Sequence, residues 1–199
     1  ACYSLTTVPN MGNWDTNSVN DMSFTFLNAT GFNENIGTWV TSAVTDMQFM
    51  FNNNYLFNQN INSWDVSNVI NMEAMFAGMH TFDQPLSGWV TSSVVNMDSL
   101  FAQMDVFNQD ISNWDVSNVT SMNSMFVNSS LFNKDLGGWD VSNVTGMTNM
   151  LNGTNIDTVN YDNLLVGWDS LPSLISGVTI GVGGLQYTSA GAGGTARTN

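Results

Sequence analysis

Six tryptophans, Trp14, Trp39, Trp64, Trp89, Trp114 and Trp139, recur every 25 residues with no insertion or deletion between them. The rest of the unit keeps step. Val19, Val44, Val69, Val94, Val119 and Val144 follow five residues later, and Met22, Met47, Met72, Met97, Met122 and Met147 eight later. Phe26, Phe51, Phe76, Phe101 and Phe126 stand twelve after Trp, with Leu151 closing the column, and Phe32, Phe57, Phe82, Phe107 and Phe132 stand eighteen after. Met11, Ile36, Ile61, Leu86, Ile111 and Leu136 lie three before. A fixed period of this length means stacked repeats. One 25-residue coil cannot bury its own apolar face, but a stack buries a continuous one. Coils paired through parallel strands would sit ~4.8 Å apart, so five to six of them predict a rod about 25–30 Å long.

Within a unit the spacing predicts three parts. The β-branched start of Val119-Thr-Ser-Met122 predicts a short parallel strand. Met122, Met125 and Phe126 recur at three and four residues, the spacing of one to two helical turns facing the core. The remainder, through Phe132 and Leu136 to the next Trp, is turn-rich loop with inward anchors. The expected fold class is therefore a leucine-rich-repeat-like solenoid with 25 residues per coil. Residues 1–151 form the array, beginning with a partial coil that holds Leu5, Val8 and Met11. Residues 152–199 form a helix-plus-strand C-terminal cap. Its helix spans Asp157 to Trp168, with Asp157 or Thr158 as N-cap and Pro172 beyond the end. Its strand spans Gly177 to Val182.

Charge decides what such a rod can touch. Only 2 Lys and Arg stand against 16 Asp and Glu, a net charge of −14, while charged residues of all kinds make up 9% of the chain. Nothing here could neutralise a phosphate backbone, which argues against nucleic acid. The same balance opposes docking on anionic membranes. There is no apolar run of spanning length and no signal peptide, so an exported chain would have had its leader removed. One cysteine, Cys2, excludes an internal disulfide. It leaves an intermolecular bridge near the first coil as an option. Scarce Lys and Cys with abundant Asn and Thr fit a bacterial extracellular protein.

Each Phe anchor is followed by Asn33, Asn58, Asp83, Asn108 or Asn133. A column of amides in a stack predicts bonds to turn backbone rather than a ligand site. The Trp column and the Phe column at 26, 51, 76, 101 and 126 are expected in the core, as are most of the thirteen Met. Asp110, Asp115, Asp135 and Asp140 should gather on one edge of the last two coils. Four carboxylates could hold Ca²⁺, although a solvated acidic edge, partly offset by Lys134, is the preferred reading. His80 shares its column with Thr30, Tyr55, Asp105 and Ser130, which predicts a solvated face. It has no second His or Cys for a metal site, and no nucleophile triad can be assembled around it. Glu34 and Glu73 lie in different columns and form no catalytic pair.

The units WDVSNVTSMNSMF and FNKDLGGWDVSNVTGM resemble the BspA-like surface-protein repeat, also called DUF285 or the mycoplasma-type 25-residue repeat. The resemblance covers residues 14–151. This copy departs from it at Val40 and Val90, which replace the Asp after Trp. The tail, NYDNLLVGWDSLPS with GVTIGVGGLQYTSAGAGGTART, is similar to segments that close such arrays in Bacteroidetes proteins. The resemblance implies a cell-surface or secreted protein, leucine-rich-repeat-like in architecture, adhesive in role and without catalytic residues.

The expected function is thus non-enzymatic: adhesion or protein–protein interaction at the cell surface, on a protein or glycan ligand. The alternative is a structural subunit of an extracellular filament or layer, assembled by end-to-end stacking through the uncovered first coil. A carbohydrate-binding module that uses exposed aromatic rings is the third reading. No cofactor is expected beyond the calcium option.

Overall fold

The computed structural model describes residues 5–185. Cys2 and the Gly-, Ala- and Thr-rich stretch 186–199, with the end of the expected cap, lie outside the described residues. Coils are numbered here from their tryptophans, coil 1 from Trp14 to coil 6 from Trp139.

Each coil delivers backbone N–H groups to the next one. In coil 1, Met22, Phe24, Phe26 and Asn28 donate to the carbonyls of Asp46, Gln48, Met50 and Asn52 at 2.8–3.0 Å. Met47, Phe49, Phe51 and Asn53 do the same onto Asn71, Glu73, Met75 and Ala77. The pattern continues to coil 5, where Met122, Ser124, Phe126 and Asn128 donate to Gly146, Thr148, Met150 and Asn152.

The donors are alternate residues, and the backbone conformation explains why. Phe24, Phe49, Ala74, Ser99, Ser124 and Asn149 have positive φ, and so do Asn28, Asn53, Gly78, Gln103, Asn128 and Gly153. The non-glycine members lie at φ 49–58°, in the left-handed region. Alternating turns of opposite hand point the N–H of every second residue along the stack. Four columns of peptide groups therefore run head to tail through the coils. Aligned peptide dipoles add, as they do in a helix, and here the N–H ends face coil 6.

This geometry overturns the expected strand-plus-helix coil. The chain holds no strand and no sheet among the described residues, and its only helical elements are a 3-10 turn at Met11–Asn13 and one α-helix, α1, at Thr158–Asp169. Each junction between coils has a single isolated parallel bridge, such as Asn71 with Asn96 or Ser121 with Gly146. The predicted helical turn at Met122, Met125 and Phe126 does not form: Met122 and Phe126 give their N–H groups to Gly146 and Met150 of the next coil, and Met125 bonds back only three residues, to Met122. The left-handed residues also interrupt any helix. The leucine-rich-repeat-like description is accordingly wrong for this chain. It is a stack of turns and extended segments. The strand expected at 177–182 is also absent, reduced to one bridge between Ile180 and Met147.

The interior is a bundle of aromatic and aliphatic columns. Phe26, Phe51, Phe76, Phe101 and Phe126 stack with ring centroids 5.5–5.9 Å apart. Phe32, Phe57, Phe82, Phe107 and Phe132 stack beside them at 5.9–6.4 Å. Both columns are fully buried, together with Met47, Met72, Met97 and Met122.

Helix α1 closes against the end of this stack. Asp157 is its N-cap and accepts a bond from the Asn160 N–H. Tyr161, Leu164 and Trp168 are buried. Gly167 lies where any Cβ would fall 2.0 Å from the Gly137 carbonyl oxygen, so backbone meets backbone at the docking point. That contact accounts for a glycine inside a helix, where it would otherwise cost about 0.5–1 kcal/mol relative to Ala.

Candidate functional site

Three sets of side-chain hydrogen bonds organise the stack. The first is the tryptophan column. Trp39, Trp64, Trp89, Trp114 and Trp139 are buried, and each indole N–H donates to the carbonyl 28 residues earlier, on Met11, Ile36, Ile61, Leu86 and Ile111. The carbonyls of Ile36, Ile61, Leu86 and Ile111 also accept the backbone N–H of the Trp three residues on, which uses both lone pairs. These rings are interior and offer no open platform to a sugar. Trp14 alone of the column is 52% exposed.

The second ladder is the amide column. Asn33 Oδ1 accepts from the Asn58 N–H, Asn58 from Asp83, Asp83 from Asn108 and Asn108 from Asn133, at 2.9–3.2 Å. Asn133 passes the ladder to the Asp157 N–H at 2.9 Å. These side chains are exposed or half-buried, so the ladder lies on the surface.

The third set comprises the Asp and Asn turns. Asp115 Oδ1 accepts from the Ser117 N–H at 3.0 Å and its hydroxyl at 2.6 Å. Asp110 takes the Ser112 N–H, Asp135 the Gly137 N–H and Asp140 the Ser142 N–H. Asn35 and Asn60 close the same two-residue turn in earlier coils. These are Asx turns, for which a neutral amide serves as well as a carboxylate. The four carboxylates each close their own turn through Oδ1. Among the described residues no group of three or more His, Cys, Asp or Glu is placed to hold a metal ion, so the calcium option gains no support from the geometry.

Those bonds hold the Asp65, Asp115 and Asp140 carboxyls below their ordinary value, the serine side chain two residues on first and its backbone N–H second. For Asp110 the backbone N–H of Ser112 comes first. Asp115 slightly opposes the shift at Asp140, as two like charges on neighbouring coils should. Coils 2 and 4 carry Val40 and Val90 in place of this Asp. Thr41 and Thr91 donate their hydroxyls to the Asp65 and Asp115 carbonyls at 2.9 Å.

His80 stands on an exposed edge but is not alone there. Its Nδ1 lies 2.7 Å from Asp105 Oδ2, and its ring sits 4.6 Å from that of Tyr55. The three occupy consecutive coils of one column. The 25-residue register already makes them neighbours, a signal the sequence reading passed over.

A shallow groove of about 380 Å³ crosses coils 2–5 on the face built by the left-handed residues. Ala74, Ala77, Gly78, Ser99 and Ala102 form its floor, between Phe49 at one end and Val127 at the other. No single motif marks it. Its sign in the sequence is a loss of bulk: the column of Phe24 and Phe49 continues as Ala74, Ser99 and Ser124.

The family model described as "Mycoplasma protein of unknown function, DUF285" matches residues 2–96 and 62–168. The chain belongs to this family. No curated protein and no solved structure matches it. The matched ranges of this DUF285 chain run through all six coils and most of α1, so the Trp and amide ladders and the groove all lie inside them. No helix among its described residues is long and apolar enough to cross a membrane.

Proposed function

We propose that this DUF285 protein is a non-enzymatic interaction module of the cell surface or extracellular space, and that it binds a protein partner along one face of the stack. The observation that carries the reading is the groove. Small side chains there replace the Phe24 and Phe49 of the earlier coils, so the surface is recessed between Phe49 and Val127 over several coils. A face of this kind suits an extended partner that follows the stack axis. The extracellular placement is supported by composition: low Lys, one Cys and polarity drawn from uncharged Asn, Ser and Thr.

A non-enzymatic role is supported by the state of the titratable groups. The one histidine lies on an open edge against Asp105 rather than in an enclosed site. Retention of the fluorescently labelled chain on intact cells tests the reading, with cells untreated, protease-shaved or glycosidase-treated. Binding that protease abolishes and glycosidase spares is expected. Binding lost only to glycosidase would favour the glycan reading, and no retention on any surface would sink the proposal.

A further inference from the structure

We infer that Asn152 is a site of spontaneous covalent modification, at which the folded chain converts asparagine to aspartate and isoaspartate. Asn152-Gly153 is the one Asn-Gly pair in the sequence. The chemistry needs a backbone nitrogen that can attack the side-chain amide of the residue before it. A side chain on the attacking residue hinders the approach, and glycine has none. A hydrogen bond on the attacking N–H hinders it too, because that bond must break first.

The stack decides which N–H groups are bonded. Gly153 belongs to the column of Asn28, Asn53, Gly78, Gln103 and Asn128, and each of those gives its N–H to a carbonyl of the next coil at 2.7–2.8 Å. Coil 6 is followed by no further coil. Gly181 of the closing segment takes the Leu151 N–H at 2.9 Å, but among the described residues no acceptor meets the N–H of Gly153. Gly153 is also exposed, so water and dissolved base reach it. Asn123-Ser124 and Asn128-Ser129 show the contrast. The Ser124 N–H is bonded to the Thr148 carbonyl at 2.8 Å and the Ser129 N–H to the Phe126 carbonyl at 3.0 Å.

The amide under attack has a donor on its oxygen. Asn152 Oδ1 accepts the Gly183 N–H, and Nδ2 donates to Asn149 Oδ1 at 2.8 Å. A donor at Oδ1 stabilises the negative charge that gathers there as Cγ becomes tetrahedral, as it does in acyl transfer. The Gly153 nitrogen gives up its proton and bonds to Asn152 Cγ. The Cγ–Nδ2 bond breaks, and the NH2 group leaves with that proton as ammonia. Water then opens the cyclic imide. Addition at Cγ leaves aspartate in an ordinary main chain. Addition at the backbone carbonyl carbon leaves isoaspartate, whose main chain runs through Cβ and Cγ.

The residue that changes sits at a junction. Its carbonyl accepts the Asn128 N–H from coil 5 at 2.7 Å, and its side chain holds Gly183. Isoaspartate lengthens the main chain by one carbon between these contacts, and either product loses the Nδ2 donor to Asn149. The modification therefore loosens residues 181–183 from coil 6 and spares coils 1–4. It is independent of the interaction reading.

Peptide mapping by mass spectrometry tests this on the full chain, kept folded in mildly alkaline buffer and sampled over weeks. Electron-transfer fragmentation separates isoaspartate from aspartate. Asn152 should convert before Asn123 and Asn128 and should yield isoaspartate. Asn152→Gln, which would have to close a larger ring, should stay intact. Amide exchange at Leu151 should rise in step with conversion, while exchange at Phe76 and Phe101 should not. Asn152→Asp carries the charge without the longer main chain and should keep more of the Leu151 protection than the isoaspartate form. The urea-unfolded chain gives the lability of the sequence alone. Conversion in urea with Asn152 intact in the folded chain would mean that the fold shields the site, and the inference would be overturned. Earlier conversion at Asn123 or Asn128 in the folded chain would overturn it as well. Conversion with no change at Leu151 would overturn the effect on the closing segment.

Discussion

The indole N–H of Trp168, in helix α1, reaches the carbonyl oxygen of Leu136 at 3.0 Å. That carbonyl also accepts the Trp139 backbone N–H, the same double use made by Ile36, Ile61, Leu86 and Ile111. Trp168 thus takes the next rung of the tryptophan ladder, though it is 29 residues after Trp139 and belongs to a helix instead of a coil. The terminal segment is docked by the contact that joins coils to one another.

Gly167→Ala should break this docking. The new Cβ would fall 2.0 Å from the Gly137 carbonyl oxygen and 2.7 Å from its carbon, both backbone atoms that cannot swing aside. A loss of about 1–3 kcal/mol is expected, the range for overpacking a closed contact. Hydrogen exchange would locate it: protection should fall across 158–169 and remain in coils 2–4. Unchanged protection in α1 would mean the helix does not dock through Gly167.

Phe101→Ala should cost about 3–5 kcal/mol, the usual figure for emptying a buried aromatic site. Phe101 is fully buried, with Phe76 and Phe126 each 5.6 Å away along the stack and Phe107 at 4.4 Å. Chemical denaturation measures it, and a midpoint near the parent's would contradict the stacked core.

The left-handed positions give a test with opposite signs. Ser99 sits at φ 55°, and a left-handed non-glycine residue costs roughly 1–2 kcal/mol. Ser99→Gly removes that cost while adding about 0.4–1 kcal/mol of unfolded-state freedom, so stability should hold or rise slightly. Gly78→Ala, at φ +73° with its Cβ 2.3 Å from Asn53 Oδ1, should lose about 1–2 kcal/mol. Thermal melts of the pair decide it; a clear loss in Ser99→Gly would show ordinary right-handed backbone there.

Much of this fold is readable as columns and little of it as secondary structure. Spacing alone picks out Phe101 and Met122, and those side chains are buried. The three-and-four spacing of Met122, Met125 and Phe126 reads as helix because alternating left- and right-handed turns happen to send the same positions inward. Nothing about Phe24 or Ser99 announces positive φ, a conformation imposed by the neighbouring coil's carbonyls. The groove is invisible for a related reason. Ala74 and Ala102 look unremarkable until coils 3 and 4 lie side by side. Trp168 escapes the period because a helix, with its shorter rise, needs a different count of residues to reach the same rung.

Acid should weaken the stack in a defined window. The turn carboxylates of Asp21, Asp65, Asp110, Asp115 and Asp140 are shifted below their ordinary value of 3.8. A depressed folded-state pKa contributes stability that is fully present above the unfolded value and is lost as pH falls through the folded one. Stability from these groups should be flat from neutral pH down to the ordinary carboxylate range and decline below 3.8. All five are largely exposed, so each contribution is small. Denaturation midpoints of the parent and of Asp65→Asn/Asp115→Asn/Asp140→Asn should converge in acid, since the amides keep the turn without titrating. A gap that stays constant down to the acid limit would show that these turns do not respond to charge.

The amide ladder supplies the last prediction, and its surface position sets the magnitude. Asn108 receives the Asn133 N–H on Oδ1 at 2.9 Å and gives its own N–H to Asp83 Oδ1 at 3.1 Å. Asn108→Leu keeps the second bond and removes the first. Were the Asn133 N–H sealed from water, leaving it unpaired would cost about 1–3 kcal/mol. Asn108 and Asn133 are both half-buried, so water can replace the lost acceptor and the cost should be nearer 0.5–1 kcal/mol, the net worth of a typical hydrogen bond. Asn108→Asp isolates the acceptor role. It restores an oxygen at the same place, as Asp83 provides one coil earlier, and should recover most of the loss near neutral pH. Denaturation midpoints of the three proteins, with amide exchange at Asn133 as the local probe, make the comparison. Faster exchange at Asn133 in the Leu variant and rescue in the Asp variant are expected. If Leu and Asp behave alike, the Oδ1 contact carries no stability and the ladder follows from the stack instead of helping to hold it.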